Sequence, residues 1–174
     1  QKYGKLDHAC NNAGILGTME NLTADYPVEV FDKVIAVNLR GTWLCMKHEI
    51  PLLLKTGGTI VNTASIAGLI GYQTLSAYVA SKHGILGMTR TAALEYAKQG
   101  IRVNAVCPGG TRTPMAGFTG AHDEAAEKQA EQYSPNGRVG EPEEIADAIL
   151  YLSSDRASYV NGHGLVVDAG ASVQ

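Results

Sequence analysis

The feature that most constrains the fold is an alternation of short β-branched runs with long helical stretches. Leu6–Asn11 is a strand-like run. Val28 to Leu54 carries apolar residues at helical spacing (Val30, Phe31, Val34, Ile35, Val37, Leu39), with Pro27 suited to its first turn. Thr59–Ala64 is a second strand after Gly57-Gly58, and Ser76–Lys98 a second long helix stopped by Gly100. Arg102–Val106 follows as a strand. Asp123–Gln132 and Glu141–Ser153 read as helices, and Leu165–Asp168 as the last strand. Strands joined by helical crossovers require a parallel sheet covered on both faces. The expectation is a single α/β domain over residues 1–174, a Rossmann-like doubly wound sheet.

An open sheet of this kind places its site beyond the C-terminal strand ends. The segments there are Asn12–Gly17, Ser65–Leu75 and Pro108–Gly137. Other classes of site find little support. Net charge is −3 with no basic block, so nucleic acid is not an expected partner. No run approaches the length of a membrane span. The five histidines lack metal-ligand spacing, so no metal is expected. Cys10, Cys45 and Cys107 are far apart within apolar segments and read as buried free thiols in a reducing cytosol.

Tyr78 and Lys82 are spaced i, i+4 and share a helix face, flanked by the small residues Ser76, Ala77, Ala80 and Ser81. Taken alone, such a pair is more often a solvated surface couple. The alternative is chemical. A phenol ionises near ~10, too high for a base at neutral pH, and a neighbouring ammonium favours the phenolate. Tyr78 can then give a proton to a ketone oxygen or take one from an alcohol. Ser65 lies thirteen residues earlier, after a strand. It is either an ordinary loop serine or a hydroxyl that hydrogen-bonds the substrate oxygen. Asn38 sits inside the first long helix, where Asn is unfavourable. It either bonds backbone or holds a water chain to Lys82.

Together these features resemble the short-chain dehydrogenase/reductase family. The quoted motifs are Asn12-Ala13-Gly14 after a strand, Asn38 in VNLRG, Ser65 ahead of YVASK, PGGTRTP, and the tail RVGEPEEIADAILYLSSD with VNGHGLVVDAG. The resemblance covers essentially the whole chain. It implies Asn38, Ser65, Tyr78 and Lys82 as catalytic residues, with Tyr78 as the acid/base, Ser65 as oxyanion partner and Asn38 holding the relay water. Asn11, Ala13, Gly14, Tyr78, Lys82, Pro108, Gly109, Thr111 and Thr113 are implied to bind NAD or NADP. Thr111 and Ala169 depart from the usual residues at their positions.

The family's glycine-rich opening and the residue that selects NAD or NADP have no counterpart here, and no Met begins the chain. The expectation is therefore the C-terminal portion of the domain, about four of seven strands, with Leu6–Asn11 as the fourth. The resemblance leans toward bacterial sugar, polyol or cyclic-alcohol dehydrogenases. Reductases of acyl-carrier-protein thioesters, a catalytically inactive fragment and a binding protein that kept the fold are the alternatives. A cytoplasmic homotetramer acting on a small alcohol or ketone is implied. Met115–Arg138, with Gly117, Gly120 and Gly137, is expected to form a lid over the substrate.

Overall fold

A computed structural model describes residues 3–118, 128 and 134–173. Four strands form one parallel sheet in the order β1 (His8–Asn11), β2 (Gly58–Thr63), β3 (Ile101–Pro108), β4 (Gly164–Val167). The register runs His8 to Thr59, Gly58 to Ile101 and Ala105 to Gly164. Between β1 and β2 the chain is helical over α1 (Val28–Val34), a π-helical turn (Ile35–Arg40) and α2 (Gly41–Leu53). Helix α3 (Ser76–Tyr96) joins β2 to β3, and α4 (Pro142–Ser153) precedes β4. The expected helix at Asp123–Gln132 and most of the expected lid lie outside the described residues.

Side chains alternate across each strand, so the two faces carry different cores. Ile60, Ile101 and Val103 are fully buried against Met46, Ile50 and Leu53 of α2 and Ala92 and Ala93 of α3. Ala105 and Cys107 meet Ile85 and Leu86 of α3. On the opposite face α4 covers β2, β3 and β4, with Leu152 fully buried. Each fully buried aliphatic side chain contributes roughly 1.5–3 kcal/mol. Buried asparagines tie the sheet to its surroundings. Asn104 donates to Val160 O (2.8 Å) and accepts from His163 N (3.0 Å), which fixes the approach to β4.

Two expectations change. The helix read as continuous from Val28 to Leu54 contains the π-helical turn, in which Gly41 N–H reaches back five residues to Ala36 O. Of the three cysteines, all free, Cys107 alone is buried; Cys10 and Cys45 are exposed. Cys10 lies beside Val61 on the face where α4 packs mainly over β2, β3 and β4. Cys45 stands on an exposed side of α2.

Candidate active site

The C-terminal ends of β1, β2 and β3 release the three loops that carry the candidate residues. Tyr78 and Lys82 lie in the first two turns of α3, and both are buried, at 9% and 3% exposure. That removes the solvated-couple reading. The Lys82 ammonium donates to Thr63 O at the end of β2 (2.8 Å) and lies 5.4 Å from the Tyr78 ring centre. Burial lowers Lys82 to about 8. It remains mostly protonated at pH 7.

Burial pushes the Tyr78 phenol up from its ordinary value, while a hydrogen bond with the Ser65 side chain pulls it down. The sequence pointed to a phenol lowered by Lys82. Within the chain's own environment desolvation outweighs any such lowering, and the phenol rests in its acid form. Ser65 stands in extended backbone (φ −177°, ψ 162°) and caps the short turn Ile66–Gly68, its Oγ accepting from Ala67 N (3.1 Å). That cap orients the hydroxyl and leaves its own proton to point toward the Tyr78 phenol.

Asn38 is fully buried in the π-helical turn. Its Oδ1 accepts from Ile15 N (2.8 Å), and its Nδ2 donates to Ile15 O (2.9 Å) and Ser81 Oγ (3.1 Å). Both amide protons are thereby engaged, so the side chain's visible work is to clamp the Asn12–Gly17 loop onto α3. The π turn makes this reach possible because α3 packs closely there. A Cβ at Gly84 would sit 2.6 Å from Leu39 Cδ1.

The candidate cofactor residues divide. A Cβ on Gly14 would come 3.7 Å from Lys82 Nζ and 3.5 Å from Asn38 Oδ1, so that loop's backbone lies directly over the site. Ala13 beside it is exposed. Asn11 is buried and bonds Asn62 Oδ1 (3.0 Å) and Glu49 Oε2 (3.1 Å), holding β1 to β2 and α2. Pro108 ends β3. Gly109 passes so near β4 that a Cβ would lie 2.7 Å from Asp168 Cβ. Thr111 forms a parallel bridge with Gly140, in which Arg112 N and Gly110 O make the bonds (2.9 Å each). The Thr111 N–H therefore faces away from that bridge. Thr113 Oγ1 donates to Thr111 O (3.3 Å). Sequence reasoning missed Thr63 and Ser81, which hold Lys82 and Asn38 through one carbonyl and one hydroxyl. Neither residue type carries a signal of its own.

A cleft of about 570 Å³ opens beside these groups, walled by Leu16, Ile66, Tyr72, Met115, Phe118 and Asp168 among others. Leu16 packs against the cluster of Ala67, Leu75 and Tyr78 and so links the cleft to the neighbourhood of the phenol. Among the described residues no helix is long and apolar enough to cross a membrane, and no group of His, Cys, Asp or Glu could hold a metal ion.

The family model described as enoyl-(acyl carrier protein) reductase matches residues 1–172. Cyclohexanol dehydrogenase of Acinetobacter sp. (strain SE19) is 48% identical over 167 residues, covering 95% of this chain and 64% of its own length. Levodione reductase of Leifsonia aquatica is 40% identical over 178 residues, covering 99% of this chain and 66% of its own. A crystal structure of levodione reductase superposes with a TM-score of 0.91 at 39% identity, covering 99% of this chain and 69% of that one. The chain thus spans just under two thirds of the length of these two curated relatives. With a whole-chain match to the model and relatives at this level of identity, the chain belongs to the short-chain dehydrogenase/reductase family.

Proposed function

We propose that this protein is an NAD- or NADP-dependent oxidoreductase that moves hydride between the nicotinamide and a secondary alcohol or ketone of the sugar, polyol or cyclic-alcohol class. The observation that carries this is the buried pair Tyr78 and Lys82 with the partly buried, capped Ser65 at the strand ends. The donor set fits a dinucleotide. Among the described residues the Lys82 ammonium donates to Thr63 O alone, which leaves two N–H groups for the hydroxyls of a ribose. The bare backbone at Gly14 and Gly109 permits close approach, and the Thr111 N–H suits a carboxamide oxygen. Pro108 and Thr113 shape that loop, while Asn11 and Ala13 border the adenine side. The nicotinamide supplies or accepts the hydride when bound.

Tyr78 in its acid form gives its Oη proton to a ketone oxygen as that oxygen gains charge, and Ser65 donates a second hydrogen bond to it. In the reverse direction the Tyr78 phenolate takes the alcohol proton, and the Lys82 ammonium stabilises that phenolate. Asn38 holds the geometry through Ile15 and Ser81. Its carbonyl, which accepts from Thr42 Oγ1 (2.7 Å), keeps a second lone pair for a relay water.

The family model's description and the 44% identity to the 3-oxoacyl-[acyl-carrier-protein] reductase of Thermotoga maritima favour a thioester substrate as the second reading. The assay follows nicotinamide absorbance with cyclic alcohols, polyols and a 3-oxoacyl thioester, under both cofactors. Turnover of cyclic alcohols or polyols supports the first reading, and turnover of the thioester alone the second. No turnover in any arm overturns both.

The reading carries with it a cytoplasmic homotetramer. Exposed apolar side chains on α2 and α3, including Trp43, Leu52 and Leu94, support burial between copies. Sedimentation at micromolar concentration is expected to give a tetramer, and a clean monomer would rule this out.

A further inference from the structure

Most of the side chains that wall the cleft are apolar: Leu16, Met19, Ile66, Met115 and Phe118. The charged ones are already engaged with the protein. Arg138 makes two bonds to Glu144 (2.7 and 2.8 Å), and Asp168 accepts from the amides of Gly170 (2.9 Å) and Ser172 (2.8 Å). A carboxylate or phosphate on the substrate would therefore find no unengaged cation among these wall residues. Ser134 donates to Asn136 Oδ1 (2.7 Å).

Tyr72 differs from its neighbours. It lines the cleft at 41% exposure, and no described group takes the proton of its hydroxyl. A turn in which Leu75 N–H bonds Tyr72 O (3.3 Å) fixes its position. The turn places Thr74 at φ 66°, a left-handed conformation unfavourable for a β-branched residue. Strain of this kind persists where surrounding structure enforces it and concentrates at functional sites. The turn feeds directly into α3, six residues before Tyr78. The two phenols are close enough to feel one another: Tyr78 is pushed up by burial first and by Tyr72 in addition.

We propose that Tyr72 is a specificity-determining residue, its hydroxyl binding a second oxygen on an uncharged, otherwise apolar ring whose first oxygen meets Tyr78. The assignment rests on the hydride-transfer reading above. It narrows the substrate to diols, hydroxyketones or diones of ring size and disfavours anionic substrates.

The test compares cyclohexanol with the positional isomers of cyclohexanediol, in the parent enzyme and in Tyr72→Phe. The parent is expected to prefer one diol. The substitution should lower kcat/KM for that diol about tenfold more than for cyclohexanol, chiefly through KM, as the loss of one partly exposed hydrogen bond requires. Equal losses on the mono-alcohol and the diol would make Tyr72 a packing residue and overturn the assignment, as would no loss on either. If the parent turns over none of these alcohols under either cofactor, hydride transfer to this class fails, and Tyr72's role fails with it.

Discussion

Replacing Tyr78 with Phe should lower turnover about 10²–10⁴-fold while leaving the fold in place. The ring stays buried against Ala67 and Leu75, so little apolar contact is lost. The hydroxyl is what disappears, and with it the proton that a ketone oxygen must receive. Because burial keeps this phenol in its acid form, ketone reduction is the direction that should run at neutral pH. Alcohol oxidation should improve as pH rises toward the phenol's own ionisation. The measurement is kcat in both directions beside thermal melting and dinucleotide affinity. A loss of activity with unchanged melting and cofactor affinity assigns the hydroxyl to chemistry. Near-normal turnover in the variant would falsify the role.

Much of this architecture was legible because period-two and helical patterns separate cleanly in the chain. The run Thr59–Ala64 reads as a strand and becomes Gly58–Thr63. Arg102–Val106 extends to Ile101–Pro108 because the neighbouring strand carries the ladder further. The Tyr78 and Lys82 pair was legible from spacing, but its burial was not, since burial is set by α3 packing on β2 and β3. The π-helical turn around Asn38 left only the faint mark of a poor helix former. One skipped carbonyl changes which face Asn38 presents, and no local propensity records that choice. Cys10 was misread for a related reason. An apolar run says that a strand pairs, not that both its faces are covered. Tyr72 gave no signal at all, because an aromatic residue in a turn has no period to break. Its meaning comes from its own hydroxyl, which no described group engages in a cleft walled mostly by apolar side chains.

Lys82→Met should abolish most oxidation activity and yet leave the fold at least as stable at neutral pH. The ammonium is held at about 8 by burial, against an ordinary value of 10.5. A lysine whose folded value lies below its unfolded value binds its proton less well in the folded state. Below pH 8 both states are protonated, and the folded state bears the whole penalty, about 3 kcal/mol from that shift. Between pH 8 and 10.5 the unfolded state holds more protons, so stability from this group rises with pH. The bond to Thr63 O offsets part of the penalty, and losing it would leave a carbonyl short of a partner at about 1–3 kcal/mol. The two terms are of similar size, so Met, of similar length and no charge, should fold without loss. Melting temperature against pH then separates them. The parent should gain stability from pH 8 toward 10.5, and the variant should lack that gain. Activity should move the other way. Without the cation the Tyr78 phenolate loses its stabilising neighbour, so the alkaline limb of oxidation shifts upward in pH and the maximal rate falls. Activity retained on an unmoved limb would remove the electrostatic role. A sharp drop in stability at pH 7 would show instead that the bond to Thr63 outweighs the buried charge.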